Sequence, residues 1–374
     1  MLCLKLPMLI IKLRKINNKK TACIAVFFYN FDVFTNNKSE VNIMEFSNVY
    51  YEKDVLDYPL GKTLKNKYGH IPWIEIKSHN AIDEMRKKQN GEFINMKKNL
   101  IIGIRKTHNY KENKKISDFL VPYTSSGCSA MCLYCYLVCN YNKCSYLRLF
   151  VNREQMLDKL IKFSKRNDTP FIYEIGSNSD LILENKITGN LVWTIENFVR
   201  EGVGRLTFPT KFDDVKSLLS IDHKRKIIFR MSVNPSEIIR KYEIGTSTLE
   251  KRINAVNLMC EAGYPTGILI APVIFTSDWE KLYSELIDFL RDNLSKKAKK
   301  QLFIEIIFMT YSYVHRAINK EAFPTVSDLY DENLMVVRGR GKYAYSQIQR
   351  SIGEEFFRKE ISEKLKDAKI IYFS

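Results

Sequence analysis

The sequence predicts an α/β protein built as a partial (β/α)6 barrel of the TIM type, with additions at its amino and carboxyl ends. Two observations support this fold class. Five apolar runs of strand length follow one another between residues 171 and 309, and segments with helical spacing separate them. Near-continuous apolar strands separated by helices are typical of a parallel sheet covered by helices, so these units favour a curled parallel sheet over a sandwich.

The individual elements are predicted in chain order. Before the barrel, one strand is expected at residues 99–105 (NLIIGIR). The barrel strands are expected at residues 171–176, 205–208, 226–233, 267–275 and 302–309. The helices with recognisable apolar spacing are expected at residues 153–166, 247–262 and 278–294. The second of these helices follows a cap-like Thr246 and ends at Gly263, which is a typical helix stop.

The chain is long enough for one large domain with appendages. It has 374 residues, of which 45% are hydrophobic and 12% aromatic, and this composition is typical of a globular protein. Residues 1–43 show no clear period, whereas Met44 begins a stretch that is typical of a domain start. We therefore interpret residues 1–43 as a doubtful extension. The expected division of the rest is an amino-terminal region at 44–115, the barrel at 116–320 and a carboxyl-terminal region at 321–374.

The charge of the chain favours a polyanionic partner. Its net charge is +17, so nucleic acid is the first candidate and an anionic membrane surface the second. The alternative is a general compositional bias, because lysine, asparagine and isoleucine are all abundant. No run approaches the ~18 consecutive apolar residues that a membrane span requires. With no recognisable export signal, we expect a cytoplasmic monomer without membrane association.

Five of the eight cysteines lie between residues 128 and 144. In a reducing compartment, such a group indicates metal binding or catalysis before disulfides. Cys128, Cys132 and Cys135 form a C-x3-C-x2-C pattern. Zinc sites usually combine two C-x2-C halves or add histidines, and a four-iron cluster usually has four cysteines, so this set is one ligand short. An iron atom without a protein ligand can bind a small molecule directly.

This spacing, with Tyr134 before the last cysteine and strand–helix units after it, resembles the signature of radical S-adenosylmethionine enzymes. The resemblance implies a barrel of that type, in which Cys128, Cys132 and Cys135 hold a [4Fe-4S] cluster. Its open iron would bind the amino and carboxylate groups of S-adenosylmethionine. The cofactors would supply a 5′-deoxyadenosyl radical, and the protein would orient it and keep it from water. An external electron donor, such as a flavodoxin or ferredoxin, would reduce the cluster.

Further segments resemble spore photoproduct lyase from about residue 50 to the carboxyl end. They include YPLGKTL (58–64), LIIGIRKT (100–107), CLYCYL (132–137), SYLRLFVN (145–152), TKF (210–212), SVN (232–234), GTSTLEKRI (245–253), AGYPTGILIAPV (262–273) and GKYAY (341–345). That family repairs a thymine lesion, 5-thyminyl-5,6-dihydrothymine, in ultraviolet-damaged spore DNA. The resemblance implies a carbon–carbon lyase acting on DNA, and the positive charge fits the phosphate contacts that this requires.

The resemblance also assigns roles to single residues. Lys211 and Ser232 match positions that hold S-adenosylmethionine, and an ammonium and a hydroxyl suit the polar end of an amino acid. Tyr134 and Tyr136 match tyrosines that line the pocket for the adenosyl group and the lesion. Tyr136 is expected to relay a hydrogen atom. The alternative for either tyrosine is that its ring only fills space beside the cluster.

One departure from the family concerns the hydrogen-donating cysteine. Its catalytic position, within residues 174–180 (EIGSNSD), is occupied by Ser177. An S–H bond is weak enough to give its hydrogen to a carbon radical, whereas a serine O–H bond is much too strong. Ser177 is therefore not expected to perform that step. Our hypothesis is that Cys139 or Cys144 replaces it, and the alternative is that both are inert packing or surface thiols.

A second departure lies before GKYAY, where the family carries an adjacent arginine and tyrosine that grip the lesion. This chain has Val337 and Arg338, so Arg338 is the one basic group expected at the substrate. These two departures leave two alternatives open. One is a radical S-adenosylmethionine paralogue with another substrate. The other is a nucleic-acid-binding protein whose metal site is structural.

Overall fold

A computed structural model describes residues 45–139, 146–166 and 169–374 of the chain. Numbered in chain order, the strands are β1 (Asn48–Glu52), β2 (Trp73–Ile76), β3 (Asn99–Gly103), β4 (Lys111–Glu112), β5 (Phe119–Val121), β6 (Ser125–Ser126), β7 (Met131–Cys132), β8 (Arg148–Phe150), β9 (Ile172–Ile175), β10 (Arg205–Thr210), β11 (Ile227–Val233), β12 (Glu243–Ile244), β13 (Thr266–Val273), β14 (Phe303–Phe308), β15 (Thr310–Ser312), β16 (Met335–Val337), β17 (Lys342–Tyr345) and β18 (Lys369–Phe373). The α-helices are α1 (Pro59–Lys67), α2 (Asp83–Lys87), α3 (Phe93–Met96), α4 (Arg153–Ser164), α5 (Leu181–Thr188), α6 (Asn190–Glu201), α7 (Ser236–Tyr242), α8 (Leu249–Glu261), α9 (Trp279–Asn293), α10 (Lys296–Gln301), α11 (Tyr313–Ala322) and α12 (Gln347–Lys364).

The main sheet has eight strands in the order β18–β14–β13–β11–β10–β9–β5–β4. Every neighbouring pair is parallel except β4 with β5. The sheet curls into a half-barrel, which confirms the predicted fold class. Strands β5, β9, β10, β11, β13 and β14 form its six central members, and β18 adds a seventh parallel strand at one edge. The carboxyl ends of these strands therefore meet at one rim, where ligands bind in such sheets.

The five predicted barrel strands agree with β9, β10, β11, β13 and β14 within two residues at each end. These strands form because most of their side chains are apolar and buried. Strand β11, for example, is buried at every position. The predicted helices are present as α4, α8 and α9, although the N-cap of α8 is Thr248, whose side chain accepts from the Lys251 N–H. The expected cap at Thr246 is therefore wrong by two residues, and the Thr246 hydroxyl instead donates to the Glu243 carbonyl.

One expected strand–helix unit lacks its α-helix. Between β10 and β11 the chain forms a loop with a single 3₁₀ turn, Lys216–Leu218. This segment buries three apolar side chains, Phe212, Val215 and Leu218, without a helix. The crossovers on either side of this unit contain α-helices, α5 and α6 before it and α7 and α8 after it, and of these α8 was predicted.

A second sheet, of five strands in the order β2–β1–β3–β8–β6, precedes the barrel. Only β3 among its members was predicted from the sequence. Strand β6 ends just before the cysteine loop and β8 begins after it, so this sheet holds both ends of the loop. Its second face buries a separate apolar cluster that includes Val49, Leu100, Ile102 and Leu149.

The carboxyl-terminal residues add an antiparallel sheet in the order β15–β17–β16 and the long helix α12. Helix α12 packs on α9, with the rings of Phe357 and Tyr283 centred 5.3 Å apart. Residues 44–374 form one compact unit, and the expected division of it at residues 115 and 320 stays a prediction. None of the helices in the described ranges is both long and apolar enough to cross a bilayer.

Candidate active site

The loop that carries the three spaced cysteines is fastened to its surroundings by backbone contacts. The Gly127 N–H donates to the Asn178 carbonyl at 2.7 Å, and the Leu133 N–H donates to the Tyr242 carbonyl at 3.0 Å. The ammonium of Lys97 donates to the Cys128 carbonyl at 2.7 Å. Inside the loop, β7 pairs antiparallel with β12, which sets Cys132 opposite Glu243. The loop therefore has a defined shape that the rest of the protein provides.

The thiols of Cys128, Cys132 and Cys135 are free and partly buried. Burial raises the pKa of the Cys128 thiol to about 12 and also raises the pKa of Cys132, and the neighbouring cysteines add to both shifts. Thiolates at these positions therefore require a strongly cationic partner. Within the described residues, no group of three His, Cys, Asp or Glu side chains is arranged for a single metal ion. A [4Fe-4S] cluster takes its protein ligands on different irons, so Cys128, Cys132 and Cys135 can each hold one iron and leave the fourth open.

Lys211 and Ser232, which the sequence predicted to hold one ligand, lie together at the carboxyl rim of the barrel. Lys211 follows β10 directly, and Ser232 is in the neighbouring strand β11. The Lys211 ammonium donates to the Ser232 hydroxyl at 2.8 Å and to the Ala271 carbonyl at 2.9 Å. Ser232 in turn donates to the same carbonyl at 3.0 Å. An ammonium and a hydroxyl are thus available side by side for a carboxylate.

A buried glutamate that the sequence did not predict lies at the centre of this rim. The carboxylate of Glu243 accepts from Lys211 at 2.8 Å and from Arg252 at 2.7 Å. It also accepts from the side chain of Asn234 at 2.8 Å and from the hydroxyl of Tyr134. Burial alone would raise the pKa of Glu243, but the two cations outweigh burial and lower it to about 2. The only signal in the sequence is its position two residues before the quoted segment at 245–253.

Tyr136 and Ser177 are also in contact. Ser177 lies in the loop after β9, which turns at Gly176 with a φ of +84°, where an added Cβ would lie 2.7 Å from the Leu181 side chain. The hydroxyl of Tyr136 donates to the Ser177 carbonyl and lies 3.4 Å from the amide oxygen of Asn178. The Tyr136 side chain is 49% exposed. The geometry therefore places a phenol beside the serine.

The remaining predicted residues lie elsewhere. Arg338 is exposed in the hairpin between β16 and β17, where its backbone N–H donates to Lys342. The Cys139 sulfur lies 3.3 Å from the Ser312 hydroxyl and 4.0 Å from Nδ1 of His315, both at the start of α11. The contacts of Cys139 within the described residues are thus with the start of α11 and not with Ser177. Cys144 lies outside the described residues.

Comparison with known proteins gives one consistent result. The family model for spore photoproduct lyase matches residues 44–374. The spore photoproduct lyase of Bacillus subtilis (strain 168) is 32% identical over 335 residues, which cover 87% of this chain and 97% of that protein. The enzyme of Clostridium acetobutylicum is 31% identical over 337 residues, which cover 87% and 98%.

Solved structures agree with these sequence matches. A spore photoproduct lyase complexed with dinucleoside spore photoproduct superimposes with a TM-score of 0.82 at 28% identity, covering 89% of this chain and 100% of that one. A double variant of spore photoproduct lyase, solved with bound AdoMet and dinucleoside spore photoproduct, superimposes with a TM-score of 0.81 at 28% identity, covering 88% and 99%. These superpositions cover 88% and 89% of the chain.

Proposed function

Because the chain belongs to the spore photoproduct lyase family, we propose that it repairs 5-thyminyl-5,6-dihydrothymine in ultraviolet-damaged DNA by cleaving the bond between the two thymines. The observation that carries this proposal is a chain of contacts from the cysteine loop to the rim: the Cys132 backbone pairs with Glu243, Glu243 accepts from Lys211, and Lys211 donates to Ser232. A relative solved with both AdoMet and the dinucleoside lesion supports the same pairing of cofactor and substrate.

In this proposal, each group of side chains has a separate role. Cys128, Cys132 and Cys135 would hold a [4Fe-4S] cluster, while Lys211 and Ser232 would hold the carboxylate end of S-adenosylmethionine. When bound, these cofactors supply the 5′-deoxyadenosyl radical that takes a hydrogen atom from the lesion. Partial burial of the thiols limits the access of water to the reacting atoms.

The hydrogen atom returned to the product comes from Tyr136 in this proposal. A phenol O–H bond is weaker than the alcohol O–H bond of Ser177, and the Tyr136 hydroxyl lies at the Ser177 backbone. The O–H bond of Tyr136 breaks as a C–H bond forms on the thymine radical. The tyrosyl radical that remains then takes one electron from an external reductant and one proton from water, which restores the phenol. Cys139, which contacts Ser312 instead, is the competing donor.

The substrate and partners follow from the same site. The lesion would be turned out of the DNA stack toward Tyr134 and Tyr136. The free energy needed to unstack a damaged base is lower than that for an intact one. Arg338, exposed on its hairpin, would contact the DNA. A flavodoxin or ferredoxin would supply electrons, and we expect the enzyme to act as a cytoplasmic monomer.

One experiment tests this function directly. Anaerobically purified, cluster-loaded protein is incubated with a synthetic dinucleotide spore photoproduct, S-adenosylmethionine and a reductant, and all products are identified by mass spectrometry. We expect thymidylyl-thymidine together with 5′-deoxyadenosine, and neither when S-adenosylmethionine is omitted. Formation of 5′-deoxyadenosine with an intact lesion would contradict the proposal and favour a paralogue with another substrate. Failure to cleave S-adenosylmethionine at all would favour a structural metal site.

A further inference from the structure

We propose that Glu243 is a positioning residue that fixes the ammonium of Lys211 and the ring of Tyr134 for S-adenosylmethionine. This inference rests on the proposed function, since it concerns how that cofactor is held. It is carried by the contacts of one carboxylate, which links the cysteine loop to the rim residues that face the cofactor.

The Glu243 side chain is fully buried and accepts from four donors. Its Oε1 atom accepts from Lys211, Asn234 and Tyr134, and its Oε2 atom accepts from Arg252. A buried carboxylate with this many partners is fixed in place, because rotating it would leave several buried donors unpaired. The glutamate is therefore a rigid anchor for each side chain that donates to it.

Lys211 depends on this anchor more than on its other partners. An ammonium has three N–H donors, and here they contact Glu243, the Ser232 hydroxyl and the Ala271 carbonyl. Of these acceptors, only Glu243 is charged, so it forms the strongest of the three contacts. An incoming carboxylate can replace the Ser232 hydroxyl as a partner of Lys211 while the bond to Glu243 persists. The Lys211 ammonium then binds the carboxylate of its ligand while Glu243 fixes the orientation of the ammonium.

The charges of this group also suit a carboxylate. Lys211 and Arg252 carry two positive charges, and Glu243 supplies one negative charge, so one positive charge remains. The Arg252 and Glu243 side chains are fully buried and that of Lys211 is mostly buried, where attraction between charges is stronger than in water. The amino-acid end of S-adenosylmethionine provides a carboxylate that balances the remaining charge. Without Glu243, two buried cations would repel each other at this place.

Glu243 also connects the residues that are proposed to hold the cofactor with the cysteine loop. The backbone of Glu243 pairs with that of Cys132, and its carboxylate accepts from Tyr134, two residues further along the loop. The Lys211 ammonium lies 5.6 Å from the centre of the Tyr134 ring. Displacement of Glu243 would therefore shift Lys211 and Tyr134 together, relative to the thiol of Cys132.

The test is the affinity for S-adenosylmethionine, measured by equilibrium dialysis on cluster-loaded protein, together with the change that the cofactor causes in the electron paramagnetic resonance spectrum of the reduced cluster. Glu243→Gln keeps the shape but removes the charge, and we expect the dissociation constant to rise at least about tenfold. Because Glu243 acts in part through Lys211, the loss of affinity in the double variant Glu243→Gln/Lys211→Met should be smaller than the sum of the losses in the two single variants.

Glu305→Gln is the matched control. Glu305 is equally buried and pairs with Arg230, but it makes no contact with Lys211 among the described residues. We expect it to lower thermal stability and leave the affinity unchanged. If Glu243→Gln does not fold, Glu243→Asp takes its place, since its shorter side chain cannot reach Lys211 and Arg252 together. Unchanged affinity in the folded Glu243 variant, or losses that simply add to those of Lys211→Met, would overturn the inference. Loss of lesion repair with intact cofactor binding would count against the proposed function alone.

Discussion

The hydroxyl of Tyr136 donates a hydrogen bond to the backbone carbonyl of Ser177. This contact brings a half-exposed phenol to the loop of Ser177, where the family resemblance predicts a hydrogen-donating cysteine. The chain has a serine at that position and an aromatic hydroxyl beside it.

Replacing Ser177 with cysteine should restore the missing donor. We expect Ser177→Cys to raise the fraction of lesion that becomes clean thymidylyl-thymidine and to lower the fraction that becomes adducts, because a weak S–H bond quenches the thymine radical quickly. Liquid chromatography with mass detection measures both fractions. Ser179→Cys, two residues further along the same loop, is the matched control and should leave the ratio unchanged. An unchanged ratio in Ser177→Cys would mean that the serine does not face the lesion.

The origin of the returned hydrogen is visible in deuterated water, where exchangeable hydroxyls and thiols carry deuterium. We expect the wild-type enzyme to place deuterium in the product, and Tyr136→Phe to lose this label and accumulate adducts. Mass spectrometry of the repaired dinucleotide measures the label. Cys139→Ala, which removes the competing donor, should keep it. The opposite result, with the label lost only in Cys139→Ala, would assign the step to Cys139.

Cluster binding should depend on the spaced cysteines and not on cysteine content. We expect Cys132→Ala to purify without the brown colour and bound iron of the wild-type protein, because two thiolates remain where three are required. Cys260→Ala is the control, since this thiol is buried in α8 and accepts from Gln301 at 3.0 Å. Visible absorbance and iron analysis compare the two variants. A zinc-loaded, colourless wild-type protein would contradict the cluster.

Binding to lesion-containing duplex DNA should weaken steeply with salt. Each phosphate contact releases counterions, so the slope of log affinity against log salt reports the number of contacts. We expect Arg338→Ala to weaken binding and reduce that slope by about 1. Arg200→Ala, an exposed arginine of α6 that already pairs with Glu201, should leave the slope unchanged. Fluorescence anisotropy at several salt concentrations measures it, and equal slopes for wild type and Arg338→Ala would place the hairpin away from the DNA.

The barrel interior contains a buried ion network that should dominate stability. Arg230 donates to both carboxylate oxygens of Glu305 at 3.1 and 3.0 Å and to Glu174 at 2.5 Å. Arg230→Met leaves the buried Glu305 and the partly buried Glu174 without this cation, and we expect the free energy of unfolding to fall by about 3–5 kcal/mol. Urea denaturation measures the loss. Arg291→Met, at an exposed pair on α9, should change little. A small change in Arg230→Met would show that the carboxylates relax toward water.

The barrel was predictable because its strands are mostly apolar and buried: β11 is buried at every position, and five of its seven side chains are apolar. The amino-terminal sheet was not, except for β3. Strand β2 has no buried residue, and the five residues of β1 have two consecutive buried positions, so neither strand shows a period of two. These strands are fixed by pairing with distant segments, such as Val49 of β1 with both Trp73 and Leu100. Pairing of this kind leaves little trace in local sequence.

The three spaced cysteines are predicted as ligands from their spacing, and Lys211 and Ser232 as cofactor residues from family resemblance; the structure brings Lys211 and Ser232 into hydrogen-bond contact, and the roles stay predictions. Glu243 was not, because its role depends on Lys211 and Arg252, which come from a strand end and a helix elsewhere in the chain. Burial of a charged residue cannot be recognised until the partners that stabilise it are placed.

The cysteine loop is held by contacts that involve no metal. The Cys128 carbonyl accepts a hydrogen bond from the Lys97 ammonium, and the Leu133 carbonyl accepts one from the side-chain amide of Asn319. The Cys132 backbone pairs with β12. Zinc-finger peptides behave differently, since they are unfolded until their ion arrives. Here the loop is joined by these contacts to Lys97, to α11 and to β12, three separate parts of the chain. We therefore expect replacement of a single spaced cysteine to abolish iron binding and leave the domain folded.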